Sequence, residues 1–332
     1  MSGSTDLHVR LGRTGLLVSR LGLGTVNFGG RLDEAQAHRL LDHAHERGIN
    51  LVDTASVYGW RVYKGWTEEV IGRWAARGSR RDDVIVSTKV GLPMSDVPND
   101  SGLSLRNIVR SCEASLRRLQ TDWIDLFQIH HVDRSVAWDE IWQAMELLVQ
   151  QGKVRYVGSS NCAGWDLAAA QESARRRGVT SLASEQCLYN LATREPELEI
   201  LPAAEAYGIG VLVWSPLHSG LLSGVLAKQA AGEAVKSAQG RSASALAQHR
   251  DQIAEYEKVC HEAGRPPAQA GLAWVLSRPE VSGAIIGPRT TEHIDDALRA
   301  WQEPLSEDLA SQLESLFPAP GRGFPAPDAW IG

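Results

Sequence analysis

Residues 123–160 read WIDLFQIHHVDRSVAWDEIWQAMELLVQQGKVRYVGSS, and the pattern within them decides the fold class. WIDLFQIH (123–130) is a short run with apolar residues on both faces, as a buried parallel strand requires. WDEIWQAMELLVQQG (138–152) then spaces its apolar residues three or four apart and ends at Gly, which tolerates the left-handed conformation at a helix C-terminus. VRYVGSS (154–160) returns to the strand pattern. Strand, helix and strand in this order form the repeating unit of a parallel sheet.

Outward from this unit the alternation continues in both directions. Further strands are predicted at VSRLGLGT (18–25), INLVDT (49–54), DVIVSTK (83–89), SLASEQ (181–186), IGVLVWS (209–215) and GAIIG (283–287), each followed by a segment of helical period. Eight rounds without a domain-sized linker predict one domain over residues 1–332. They favour a closed (β/α)8 TIM barrel, with its site in the C-terminal-face loops, over an open doubly wound sheet. No GxGxxG follows any strand, so the usual dinucleotide fingerprint is absent. Two segments break the rhythm. PLHSGLLSGVLAKQAAGEAVKSAQGRS (216–242) is expected to be a functional lid or a disordered excursion, and the tail PAPGRGFPAPDAWIG (318–332) to run along the surface.

Composition narrows the function classes. A formal net charge of -6, with no Lys/Arg run interleaved with aromatics, argues against nucleic-acid binding; Arg175–Arg177 is expected on a solvated helix face. Cys112, Cys162, Cys187 and Cys260 are far apart with no CxxC pair, which predicts buried thiols in a reducing compartment and no metal site. The N-terminus lacks an apolar signal region and no apolar run approaches the roughly 18 residues of a membrane span, so a cytoplasmic protein without membrane attachment is expected. Oligomeric state is not legible.

A barrel of this kind carries its chemistry where the strands end. Those positions are polar: Thr25 and Asn27, Asp53 and Tyr58, Lys89, His130, Ser160 and Asn161, Gln186, Trp214 and Ser215, and Arg289 beyond Gly287. Asp53, Tyr58, Lys89 and His130 form a quartet suited to moving a proton onto an oxygen that gains negative charge. A tyrosine normally titrates near about pH 10, and an adjacent ammonium favours its phenolate. Lys89 is expected to lower the Tyr58 pKa in this way, with Asp53 holding the ammonium charged and His130 hydrogen-bonding a substrate carbonyl. A lone Asp, Lys or His at a strand end is more often a structural ion pair or a satisfied core group, but four such residues from consecutive strands are less easily dismissed. If His130 points inward, His131 is expected to point to the other side or into the loop and to serve at most as a substrate contact. An aldolase in which Lys89 forms a Schiff base is a further alternative.

The segments LGRTGLLVSRLGLGT, LVDTASVYG, VIVSTKVG, DLFQIHHVD, GKVRYVGSSN, SEQCLYN, WSPLHSGLL and IIGPRTTEH together resemble the aldo-keto reductase superfamily over nearly the whole chain. That resemblance implies NADPH-dependent reduction of an aldehyde or ketone, with Asp53, Tyr58, Lys89 and His130 as the tetrad. It also implies that Ser160, Asn161 and Gln186 bind the nicotinamide carboxamide and that Trp214 stacks on its ring. Ser215, Leu217, Gly220 and Leu222 would wrap the pyrophosphate, and Arg289 would pair with the 2′-phosphate. Thr25, Asn27, Gly287 and His293 complete the implied cofactor positions. The chain is similar both to reductases of nucleotide-linked (dTDP) keto-deoxysugars and to potassium channel β subunits. A keto-sugar substrate and an NADPH-sensing partner module are therefore alternatives to simple carbonyl reduction. Two departures stand out. His293, Ile294, Asp295, Asp296 and Ala297 replace the family's Gln-Leu-Glu-Glu-Asn, removing an amide contact to adenine at Ala297. The loop after Tyr58 is longer and carries Trp60, Tyr63 and Trp66, which either wall the substrate pocket or pack on a helix.

Overall fold

The computed structural model describes residues 6–232 and 241–321; the expectations for 233–240 and for the tail from 322 onward lie outside the described residues. A two-stranded antiparallel sheet, β1 (His8–Arg10) and β2 (Leu17–Ser19), precedes eight parallel strands that close on themselves. These are β3 (Leu21–Gly24), β4 (Leu51–Asp53), β5 (Ile85–Val90), β6 (Ile124–Ile129), β7 (Val154–Ser160), β8 (Ser184–Leu188), β9 (Gly210–Trp214) and β10 (Val281–Ile286). Each pairs with the next in sequence and β10 pairs with β3, giving the (β/α)8 barrel that the alternation predicts.

The predicted first strand, 18–25, is in fact two. Leu17–Ser19 turns outward to pair with His8–Arg10, and only Leu21–Gly24 enters the barrel. The break is hard to read because Val18 and Ser19 before it and Leu21–Gly24 after it are all buried. Val18 plugs the lower end of the barrel with Leu11, against Leu51, Leu126, Leu212 and Ile285, whereas Leu21 and Leu23 face the surrounding helices. Burying each of these plug side chains is worth roughly 1.5–3 kcal/mol.

The helices follow the predicted segments, from Glu34–Glu46, opened by a capping box between Asp33 and Gln36, to Thr291–Gln302. Arg175–Arg177 occupies the exposed last turn of Gly164–Arg177, where positive charge complements the helix dipole. The described part of the long connection after β9 is structured: a 3-10 turn at His218–Gly220, then helices Val225–Ala230 and Arg241–Gln248. Helices Arg250–Glu262 and Glu307–Leu316 were not among the predicted segments. All four cysteines are free and buried, and burial raises the thiol pKa of Cys112 to about 12 and of Cys260 to about 11. No described helix is long and apolar enough to cross a membrane, and no described group of His, Cys, Asp or Glu could hold a metal ion.

The plug gives Gly12 of the LGRTG segment a physical reason. Its φ of +56° lies in the left-handed region, and a Cβ there would sit 2.5 Å from both Gly208 O and Gly210 N. The Arg13 N–H donates to Gly208 O across the same junction. Gly12→Ala is therefore expected to lower the unfolding free energy in urea by about 2–4 kcal/mol, strain and overpacking acting together. A change below about 0.5 kcal/mol would show that the hairpin does not brace the barrel floor.

Candidate active site

Side chains alternate along each strand, so residues two apart share the barrel interior. Above the apolar layer of Leu51, Leu126 and Leu212 therefore come Asp53, Gln128 and Trp214, and then His130. Lys89 enters this layer from β5 and is almost fully buried, which a lone ammonium does not survive. It donates to Asp53 Oδ2 at 2.6 Å, Asp53 Oδ1 at 2.8 Å and the Thr54 carbonyl at 2.9 Å. Asp53 Oδ1 also accepts from Gln186 Nε2 at 2.8 Å, Ser87 Oγ at 3.2 Å and Gln128 Nε2 at 3.3 Å. Burial acts to pull the Lys89 pKa down, but Asp53 and Tyr58 together hold it above its ordinary value.

Tyr58 comes from the loop after β4, and its ring centroid lies 5.4 Å from Lys89 Nζ. The His130 ring stands edge-on to it at 6.0 Å. The quartet is thus brought together, but one expectation is corrected. The Tyr58 pKa moves up: burial outweighs the downward pull of Lys89, and Asp53 adds to the rise. The phenol is therefore protonated at neutral pH. His130 is buried, and Lys89 and His131 add to the effect of burial, so its pKa falls to about 3 and the ring is neutral at physiological pH. Its Nδ1 has no hydrogen-bond partner among the described residues. His131 is in the loop, the second of the two expected outcomes: β6 ends at Ile129, strand alternation ends with it, and the two imidazoles stack at 5.4 Å, 1° from parallel.

The expected carboxamide and ring positions form one linked group. Asn161 Nδ2 donates to the His130 carbonyl at 3.0 Å and to Ser160 Oγ at 2.9 Å, while its Oδ1 accepts from Trp214 Nε1 at 3.1 Å. Ser160 Oγ donates to the Gln186 carbonyl at 2.7 Å. Asn161 is held in the left-handed region at φ 59°, which Asn tolerates better than most residues. Behind this loop the wholly buried Glu185 accepts from the Ser159 hydroxyl and from the Cys162 N–H, and burial raises its pKa to about 7.

Other expected cofactor positions are placed differently from one another. Thr25 Oγ1 is spent on the Asp53 carbonyl at 2.9 Å, and Asn27 Nδ2 on the Gly287 carbonyl at 3.1 Å, tying the first barrel strand to the second and to the last. In the Ser215–Leu222 turn, which carries Leu217 and Gly220, the amides from His218 to Leu222 are bonded within the turn itself. Arg289 is exposed, and its N–H donates to His293 Nδ1 at 3.2 Å. Burial depresses the His293 pKa, and the charges of Arg289 and Lys228 add to the effect while Asp296 and Glu292 oppose it. Ala297 is buried in the core together with Ile294. Of the loop aromatics, Trp60 lies beside Tyr58, with ring centroids 6.2 Å apart; Tyr63 donates to Glu69, and Trp66 packs on Gly29 and the core. A cleft of about 230 Å³, lined in part by Leu191, His218, Ala245 and Phe317, includes none of the quartet.

Sequence reasoning missed Gln128 and Ser87, which share strand parity with His130 and Lys89, a signal that was available.

The Aldo/keto reductase family profile matches residues 20–317. This chain belongs to the aldo/keto reductase family. It is 47% identical to Uncharacterized oxidoreductase YrpG of Bacillus subtilis, over 97% of this chain and 99% of that protein. It is 35% identical to a rice (Oryza sativa) protein named "Probable voltage-gated potassium channel subunit beta", over 93% and 96% of the two chains. It is 31% identical to versiconal hemiacetal acetate reductase of Aspergillus parasiticus, again over 93% and 96%. As an aldo/keto reductase family oxidoreductase, the chain falls in a group that typically uses a nicotinamide cofactor.

Two buried groups give stability opposite dependences on pH. Between about 3 and 6.5 the unfolded chain binds the His130 proton and the folded chain does not, so this group costs stability as pH falls through that window. Glu185 holds a proton in the folded chain that the unfolded chain releases between 4.5 and about 7, so its contribution fades as pH rises through that range. Urea denaturation of His130→Gln from about pH 7 to 4 is expected to show a shallower acid loss than wild type, by up to about 1.4 kcal/mol per pH unit. Parallel curves would mean that His130 is not held neutral.

Proposed function

We propose that this protein is an NADPH-dependent reductase of aldehydes or ketones, with Tyr58 as proton donor and Asp53, Lys89 and His130 supporting it. The observation that carries the reading is the buried Lys89 ammonium, fixed by Asp53 at 2.6 Å and facing the Tyr58 ring. A reduced nicotinamide, when bound, supplies the hydride. The Tyr58 hydroxyl donates to the carbonyl oxygen and passes its proton as that oxygen gains negative charge. Lys89 stabilises the phenolate left behind, and Asp53 keeps Lys89 charged and in place. The neutral His130 ring is available to hydrogen-bond the carbonyl oxygen and orient it. Because Asp53 favours the charged form of Lys89, a neutral amine for Schiff-base chemistry is disfavoured.

Ser160, Asn161, Gln186 and Trp214 would hold the nicotinamide end. Ser215, Leu217, Gly220 and Leu222 would lie along the pyrophosphate, whose binding requires the amides bonded within that turn to exchange partners. The exposed Arg289 guanidinium, beside His293 and in the field of Lys228, suits a dianionic 2′-phosphate, which favours NADPH over NADH.

Tyr58→Phe is expected to lower kcat for carbonyl reduction by a factor of about 100 to 10,000 while NADPH still binds; near-wild-type turnover would remove Tyr58 from the role. Arg289→Ala is expected to weaken NADPH binding about tenfold in a calorimetric titration and to leave NADH binding within about twofold. Equal losses for the two cofactors would contradict a 2′-phosphate contact. Absorbance at the NADPH band during a single turnover also separates an enzyme from a cofactor-sensing module, which would hold NADPH without oxidising it.

A further inference from the structure

We propose that the carbonyl compound taken at Tyr58 carries an anionic arm, a carboxylate or a phosphate, and that Arg31 and Arg61 bind this arm beside the Trp60 ring. This rests on the reductase function proposed for Tyr58 and adds the substrate class. A cleft of about 130 Å³ opens between the loop after β3 and the loop after β4, lined by Val26, Phe28, Arg31, Trp60 and Arg61 among others. Trp60 connects it to the chemistry: its ring stands against Tyr58, yet it is 51% exposed, an unusual surface cost for so large an apolar side chain.

The two arginines are exposed, and among the described residues neither guanidinium has an ion pair or a hydrogen bond. Arg73, Arg118, Arg134 and Arg194 are each matched to carboxylates, whereas Arg31 and Arg61, like Arg39 and Arg106, are not; what sets these two apart is that they line one cleft, and the acids near it are already engaged. Glu34 and Glu69 pair with Arg73, and Asp33 caps a helix. Gly30 supports the arrangement. A Cβ there would come 2.8 Å from Arg61 Cδ, so the missing side chain lets the arginine stem lie against the backbone at the cleft wall. The two arginines make this cleft locally positive in a chain whose net charge is -6.

Two guanidinium forks suit the planar or tripod oxygens of a carboxylate or phosphate, and the indole face suits the apolar or planar stem that joins such a group to a carbonyl. Trp60 alone could also attract a cation, but the two arginines would repel it.

The test uses the full chain, saturated with NADPH, and four benzaldehydes that differ only in the para group: methyl, carboxymethyl, phosphonomethyl and trimethylammoniomethyl. The two anionic aldehydes are expected to show KM values about tenfold below the methyl compound, with kcat changed by less than about twofold and the cation poorest. The better of the two anions identifies the group. The ranking is expected to collapse in the Arg31→Ala/Arg61→Ala double variant and in about 0.5 M KCl. Equal KM values across the series, or a preference that survives the double variant, would overturn the proposal while leaving carbonyl reduction intact. If no aldehyde is reduced, the reductase function fails instead. Calorimetric binding of the phosphonomethyl compound to the NADP+-saturated protein still decides the arginine site: about tenfold weaker binding in the double variant supports it, and equal affinity overturns it.

Discussion

An ammonium group sealed inside a barrel requires a fixed counter-charge, and this one requirement organises the interior. Lys89 and Asp53 are both almost completely buried, so breaking either would strand the other at a cost of about 3–5 kcal/mol. The pair is a poor source of net stability, since its desolvation cancels much of the attraction. What it supplies is position. Asp53 Oδ1 collects donors from β5, β6 and β8 as well as from Lys89, so four strands of the barrel fix the direction in which the ammonium faces Tyr58. Thr25 binds the Asp53 carbonyl and joins β3 to the same node.

The floor beneath this polar layer has to be apolar and closed, or water would compete for Lys89. Leu11 and Val18 of the hairpin fill that floor, which makes the left-handed Gly12 and its approach to Gly208 and Gly210 a condition of the site above. Above the layer, the Asn161 amide connects the His130 carbonyl to the Trp214 indole, so the histidine that would orient a substrate and the ring that would meet nicotinamide share one anchor.

Much of this was legible because strand ends in a parallel barrel converge whatever the intervening loops do. Asp53, Lys89 and His130 could be found from their places in the predicted strands, and Val154–Ser160 matches the strand predicted from VRYVGSS. Other features depend on three dimensions. The break at Arg20 is marked only by Ser19 and Arg20 within a run whose apolar neighbours are buried on both sides, Val18 facing the barrel floor and Leu21 the helices. The stacked His130 and His131 reflect a strand that stops one residue earlier than predicted. The direction of the Tyr58 shift required knowing how deeply the phenol is buried, which the adjacency of a lysine does not reveal. Helix Arg250–Glu262, by contrast, buries Ile253, Tyr256, Val259 and Cys260 at helical spacing and carried a readable signal.

The central claim is that Lys89 favours the phenolate of Tyr58 against the opposing effect of burial. Ultraviolet difference titration of tyrosine ionisation tests it directly, with the Tyr58 signal isolated by subtracting Tyr58→Phe in wild-type and Lys89→Met backgrounds. The Tyr58 pKa is expected to be higher by about one unit or more without the ammonium. The same pKa in both backgrounds would contradict the account.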